Sequence, residues 1–188
     1  MNNKNKHTIK EKIICAGFGG QGIITMGKIL ANIGIFNNLK VTCLSSYGVE
    51  VRGGTANSMV TISSDDIASP IVDQIDTAFI MNELSLKKFE SKIKKNGLLI
   101  MNETMINKKL DRDDIEIINI PFTDIAIEIG NIRVANILAL AIYSQKKDFF
   151  TKETLIKVIH EMSKGKEHLI DINLKAVEKG LDVFKKMT

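Results

Sequence analysis

The sequence predicts an α/β fold, a three-layer sandwich in which a largely parallel sheet carries helices on both faces. Three observations lead there. Short apolar runs alternate with amphipathic stretches, the pattern of strands joined by covering helices. The first run, Ile13-Ile14-Cys15, passes through Ala16-Gly17-Phe18-Gly19-Gly20-Gln21-Gly22 into the helical stretch 23–30, so strand, glycine turn and helix follow one another. The chain has 188 residues, 44% of them apolar, enough for one substantial core. The expected architecture is therefore Rossmann-like, a single domain over 1–188 with 1–10 as a flexible tail.

In chain order, 13–16 reads as a buried strand and the helix after the glycine turn should reach about Ile33. Residues 40–44 read as the second strand, which in a shared sheet would follow a right-handed crossover. Residues 58–62 alternate polar and apolar side chains as a third strand. After Ser69-Pro70, a strand is expected over 77–81 and a short amphipathic helix over 85–93, carrying Leu86, Phe89 and Ile93 and closed by Asn96-Gly97. Strands follow at 98–101 and 115–120, the latter ended by Pro121. A short helix over 123–129 precedes one over 133–145 that is apolar nearly all round, with Asn136 as its polar interior residue, an amide that must find a partner. Thr151 caps 152–162, and Asp171 is expected to cap the last helix, where Leu174, Val177, Leu181 and Phe184 recur on one face. The intervening Ser163-Lys164-Gly165-Lys166 reads as an exposed hinge.

Two segments carry the chemistry. Gly17, Gly19 and Gly22 fit the G-x-G-x-x-G spacing, which permits a tight turn, close backbone approach and close packing of helix on strand. The free amides and dipole of the following helix favour an anion, while the same loop equally serves packing alone. A dehydrogenase of this design has an acidic residue at the end of the second strand for the ribose hydroxyls. Here Leu44 is followed by Ser45-Ser46-Tyr47, and Glu50 comes several residues late. The second segment, 45–57, packs Tyr47, Glu50, Arg52, Gly53 and Gly54 into one connection, a make-up that can present a guanidinium to a carboxylate or phosphate. An exposed turn has the same composition.

Composition narrows the classes. The net charge of +4, from 26 basic and 22 acidic residues, is too small to identify a partner, and the basic leading segment reads as a solvated tail rather than a nucleic-acid arm. No run approaches the roughly 20 apolar residues that cross a bilayer, and no secretory signal is evident, so a cytoplasmic location without membrane insertion is expected. Cys15 and Cys43 are both expected in strand interiors, and His7, His160 and His168 are too scattered for a metal site.

Taken together, Gly17-Phe18-Gly19-Gly20-Gln21-Gly22 and Ser46-Tyr47-Gly48-Val49-Glu50-Val51-Arg52-Gly53-Gly54-Thr55-Ala56-Asn57 resemble the gamma subunit of 2-oxoacid:ferredoxin oxidoreductases. The likeness continues through Ser69-Pro70-Ile71-Val72, Met81-Asn82, Gly97-Leu98-Leu99-Ile100 and Ile129-Gly130-Asn131-Ile132-Arg133-Val134-Ala135-Asn136. The tyrosine-glycine segment is most like that of the 2-oxoglutarate enzymes. Val49 stands where the family usually has proline, and Glu83-Leu84 replaces a usual glutamine-proline. The resemblance implies a subunit, not itself catalytic, of a complex that converts a 2-oxoacid and coenzyme A to acyl-coenzyme A and carbon dioxide with electrons passed to ferredoxin. It implies alpha, beta and ferredoxin-like delta partners. Thiamine diphosphate and iron-sulfur clusters would belong to those partners, in keeping with a chain that has only two cysteines. It also implies ligand or interface roles for Gly17, Gly19, Gly20, Gln21, Gly22, Tyr47, Glu50, Arg52, Gly53, Gly54, Asn57, Arg133 and Asn136, with no metal-binding residue. The alternatives are a free-standing dinucleotide-binding protein and a purely structural assembly subunit.

Overall fold

A computed structural model describes residues 8–48 and 55–187. Its centre is β1 (Lys10–Phe18), in which Ile13, Ile14, Cys15 and Ala16 are fully buried. An apolar strand of this kind needs cover on both faces and neighbours on both edges, and it has them. It pairs antiparallel with β3 (Thr55–Ser63) and parallel with β4 (Ile75–Ile80). With β2 (Lys40–Tyr47), β5 (Ile93–Asn102) and β6 (Glu116–Ile120), the sheet order is β2-β3-β1-β4-β5-β6. Strands β4, β5 and β6 run parallel to β1, and β3 is the strand that runs against the rest.

Odd and even positions of β1 serve different cores. Ile13 and Cys15 join the larger cluster with α1 (Ile23–Phe36), α3 (Phe122–Ile129), α4 (Ala135–Tyr143), α5 (Lys152–Met162) and α6 (Ile170–Lys185). Ile14 and Ala16 join the smaller one, under α2 (Glu83–Phe89) and the approach to β4. All residues of α4 are buried, as its all-round apolar sequence predicts. Its Tyr143 ring meets Phe79 of β4 edge-on at 5.2 Å, while its other side receives α6. The first face of the sheet is thus two helices deep.

Several local expectations change. The strand after the first helix is not beside β1: β3 inserts between them, so the first strand-helix-strand unit spans an antiparallel neighbour. β2 is an edge strand, and Cys43 is exposed rather than interior. Cys15 is buried, and burial holds its thiol well above the ordinary range, which leaves it unreactive. The amphipathic helix ends at Phe89 and tightens into a 3-10 turn over Glu90–Lys92. Ile93 begins β5, and Asn96-Gly97 lies inside that strand, at the register shift where Ile75 pairs with Ile93 but Thr77 with Leu98. Asn96 there takes a φ of 61°, so a turn dipeptide serves as a bulge. Asp171 lies in the first turn of α6, whose N-cap is Leu169 with no side-chain bond. Thr151 does cap α5, in a reciprocal box with Thr154.

The one buried carboxylate of β1 is fully paired. Glu11 accepts from Thr77 Oγ1 at 2.6 Å and Tyr143 OH at 3.2 Å, and Lys147 Nζ lies 2.9 Å away. It sits at the opposite end of β1 from the glycine turn and anchors α4 and the following loop to the sheet.

Candidate functional site

The chain leaves β1 at Phe18, turns through Gly19 and Gly20, and enters α1 at Gly22. Gly20 and Gly22 have φ values of 93° and 73°, backbone that a side chain strains. Gln21 then folds back over the turn. Its Oε1 accepts the Phe18 amide at 2.6 Å and its Nε2 donates to the Met81 carbonyl at 3.2 Å. A Cβ on Gly17 would stand 2.5 Å from that Oε1 and 2.9 Å from Met81 Cβ, so glycine at 17 makes room for the staple. Because α1 packs on one face of the sheet and α2 on the other, the gap between β1 and β4 is where the sheet changes winding, the usual ligand crevice of open α/β sheets. In this chain Gln21 fills it.

The space lies instead beside α1. A cavity of about 570 Å³ is lined by Gly20, Gly22, Ile24, Thr25 and Lys28 from the turn and α1, Tyr47 from the end of β2, and Asn131, Arg133 and Asn136 from the approach to α4. Its apolar wall comes from Ile137, Ile159, Met162, Leu169 and Ile172, with Lys166 at the α5–α6 connection. The amides of the first turn of α1 have no intrahelical acceptor, and Gly22 provides no side-chain cap. No carboxylate lines the cavity among the described residues, whereas Lys28, Arg133 and Lys166 are all exposed at it. Helix dipole and cations therefore act in the same sense and favour an anion. The apolar wall suits a ligand with an uncharged portion as well.

Asn136 ties this site together. Its Nδ2 donates to the Gly22 carbonyl at 3.1 Å, which also receives the Met26 amide at 2.8 Å. A Cβ at Gly22 would run into that Nδ2, a second reason for glycine there. Asn131 accepts the Arg133 amide at 3.0 Å and so fixes the turn that presents Arg133.

The expected site residues divide accordingly. Gly20, Gly22, Tyr47, Arg133 and Asn136 converge on the cavity. Gly17, Gly19 and Gln21 build the turn behind it. Asn57 is elsewhere: it pairs with Ala16 on the face of the smaller core. Glu50, Arg52, Gly53 and Gly54 lie outside the described residues. Sequence reasoning passed over Lys28 and Lys166. Thr25 and Lys28, three apart on an otherwise apolar helix start, were the available signal for the first; Lys166, in a loop distant in sequence, had none. The described residues contain no grouping of His, Cys, Asp and Glu fit for a metal.

A glycine turn between strand and helix, with a cationic, partly apolar cavity beside the helix, defines an α/β unit whose site favours an anionic ligand. The comparisons with known proteins give its family. The chain belongs to the pyruvate ferredoxin/flavodoxin oxidoreductase family, whose model matches residues 12–183. It is 33% identical over 98% of its length to the whole of the 2-oxoglutarate synthase subunit KorC of Methanocaldococcus jannaschii. Among solved structures it superposes with a TM-score of 0.85 and 26% identity on a 2-oxoglutarate:ferredoxin oxidoreductase from Magnetococcus marinus with 2-oxoglutarate, coenzyme A and succinyl-CoA bound. That match covers 95% of this chain and 32% of the other, so the chain spans about a third of that longer protein. A keto/oxoacid ferredoxin oxidoreductase gamma subunit from Geobacter sulfurreducens matches along 94% of this chain and 99% of its own, with a TM-score of 0.78 and 26% identity. The chain is thus a homologue of gamma subunits of 2-oxoacid:ferredoxin oxidoreductases. Among the described residues no helix is long and apolar enough to cross a membrane.

Proposed function

We propose that this chain is the gamma subunit of a 2-oxoglutarate:ferredoxin oxidoreductase and that the cavity beside α1 receives coenzyme A. The complex would convert 2-oxoglutarate and coenzyme A to succinyl-coenzyme A and carbon dioxide, with the electrons passed to ferredoxin. Thiamine diphosphate and the iron-sulfur clusters would be held by alpha, beta and ferredoxin-like delta partners, in the cytoplasm. The observation that carries the reading is the charge of the cavity: Lys28, Arg133, Lys166 and the first amides of α1 face one space that no described carboxylate enters. Coenzyme A matches it in kind, with phosphates for the cations and amides and an uncharged arm for the Ile137, Ile159 and Ile172 wall.

The chain's own residues would bind and orient; none is assigned a proton or an electron. Lysines at a rim contribute less than buried ones, yet removing two of the three cations should cost about 1.4 kcal/mol or more, roughly tenfold in affinity. In the assembled enzyme carrying Lys28→Ala with Lys166→Ala, the Michaelis constant for coenzyme A should rise by about tenfold while that for 2-oxoglutarate and the subunit stoichiometry stay unchanged. An unaltered constant for coenzyme A would refute the assignment. Dissociation of the complex would instead make the lysines docking residues.

A further inference from the structure

One aromatic ring at the cavity stands uncovered. Tyr47 lines the cavity from the end of β2 and is 68% exposed. Among the described residues its ring meets no other ring or cation, and its hydroxyl has no partner. The reason is how far β2 runs past α1. β2 is antiparallel to β3 and β3 to β1, so β2 rises toward the glycine turn while α1 descends from it, with Gly34 over Val41. Helix and strand also meet at Gly27, where an added Cβ would run into Ser58 Oγ and stand 3.6 Å from Cys43 Sγ. From Gly27 back to Gly22 the helix covers about 7.5 Å, and from Cys43 on to Tyr47 the strand covers about 13 Å. Tyr47 therefore stands roughly 5 Å beyond the start of α1, with no part of that helix left to cover its ring.

We infer that Tyr47 is the platform on which the aromatic base of the ligand stacks, and so the residue that makes this cavity select a nucleotide-bearing anion over a small one. The inference rests on the coenzyme A reading above and adds an orientation to it. Tyr47 is the aromatic residue of the described lining; the wall of Ile137, Ile159, Leu169 and Ile172 is aliphatic. Two kinds of apolar surface thus border one cationic space, and coenzyme A has two kinds of uncharged group to match, a flat base and a flexible arm. Its adenine is joined through ribose to the phosphates, so the base must lie close to the groups that hold them. The α1 amides and Lys28 are those groups, and Tyr47 stands just past them on the β2 side. The arm leaves from the far end of the phosphates, toward the wall that α4, α5 and α6 build. An anion without a base would gain nothing from Tyr47.

The chain has two tyrosines and no tryptophan, and Tyr143 is fully buried, so the ring signals of Tyr47 can be read separately. Titrated into the full chain, the adenosine bisphosphate half of coenzyme A should move the Tyr47 ring protons upfield, as a stacked base does, and leave those of Tyr143 in place. Phosphopantetheine, the other half, should move neither. In the assembled enzyme, Tyr47→Ala should raise the Michaelis constant for coenzyme A and the inhibition constant of the adenosine bisphosphate by about tenfold. Phosphopantetheine should inhibit that variant within about twofold of the wild type, and Tyr47→Phe, which keeps the ring, should match the wild type throughout. If Lys28→Ala with Lys166→Ala weakens coenzyme A and Tyr47→Ala does not, the inference fails and the coenzyme A reading stands. If neither weakens it, both fail. A larger loss for phosphopantetheine than for the adenosine bisphosphate would put the arm on Tyr47 and overturn the orientation. A complex that falls apart with Tyr47→Ala would make the ring an anchor for a partner subunit and overturn the stacking role. The ring shift is read on the unmodified chain, and its absence with the adenosine bisphosphate refutes the inference whether or not the variants fold.

Discussion

Gln21 decides between the readings that the glycine motif leaves open. In a dinucleotide-binding loop the turn's amides are left for the pyrophosphate. Here the Phe18 amide is taken by Gln21 Oε1 at 2.6 Å, and Gln21 Nε2 bridges to Met81 across the crevice. The missing acidic residue after Leu44 has a geometric counterpart. With β3 inserted between β1 and β2, the end of β2 is two strand spacings, about 10 Å, from the glycine turn, where an adjacent strand would be about 5 Å away. A carboxylate there would gain nothing from the ribose of a nucleotide in the usual place. Titration with NAD should accordingly give no micromolar binding. Gln21→Ala removes two half-buried hydrogen bonds and should lower stability by about 1 to 2 kcal/mol. Gly22→Ala should cost more, since it adds left-handed backbone strain of about 1 to 2 kcal/mol to a collision with Asn136. Chemical denaturation of both variants checks the order; a Gly22→Ala chain as stable as wild type would remove Asn136 from its role in shaping the turn.

Between helices, a close approach is that of α6 on α4. Gly180 is buried mid-helix, and a Cβ there would stand 2.8 Å from Ala141 Cβ and 2.9 Å from the Leu138 carbonyl oxygen. Ala would gain about 1 kcal/mol of helix propensity over Gly. Against that stands a clash with backbone, which cannot rotate away, and overpacking costs about 1 to 3 kcal/mol. The second effect should win, so Gly180→Ala should lower the melting temperature by several degrees; a rise would mean that α6 slides freely on α4. This contact illustrates what the sequence conveyed. The all-round apolar run of α4 announced burial on every side, and the alternation of strand and helix announced the layers, because both depend on local periodicity. Strand order did not follow: β3, with buried Ser58, Thr61 and Ser63 on one strand, reads as an ordinary alternating strand, and nothing local says that it enters between β1 and β2. The glycine turn was legible as a motif, whereas Lys166 reaches the cavity only through the packing of α5 on α1 and of α6 on α4 and α5. The Asn96-Gly97 bulge was misread because a left-handed turn dipeptide ends a helix and bends a strand with equal ease.

At the scale of the whole molecule, cover is unequal. Among the described residues five helices lie over one face of the sheet, α6 outside α4, and the other face has α2 over its middle strands, with the smaller core made by β1, β4, β5 and the segments beside them. Among the described residues nothing comparable covers that face at β2, where Leu44 is 45% exposed beside its half-buried partner Met59; Tyr47 at the strand's end, on the opposite face, is 68% exposed. β2 is also an edge among the described residues, so alternate backbone amides point outward with no described strand to receive them. Its later residues, Leu44-Ser45-Ser46-Tyr47, contain no lysine, proline or bulge of the kind that protects a free edge from pairing. Such an edge belongs against another surface. In the Magnetococcus protein the matching unit is part of a longer chain. The cavity, at the Tyr47 end of the same strand, would then lie at the margin of that contact. Hydrogen exchange of this chain alone and in its complex should show the amides over 43–48 slowed by about tenfold or more on assembly, with the outer turns of α5 unchanged. Coenzyme A added to the complex should slow Ile24 and Thr25 at the start of α1 without further effect on 43–46. Exchange over 43–48 at the same rate in both states would place the partner surface elsewhere and leave β2 an open edge.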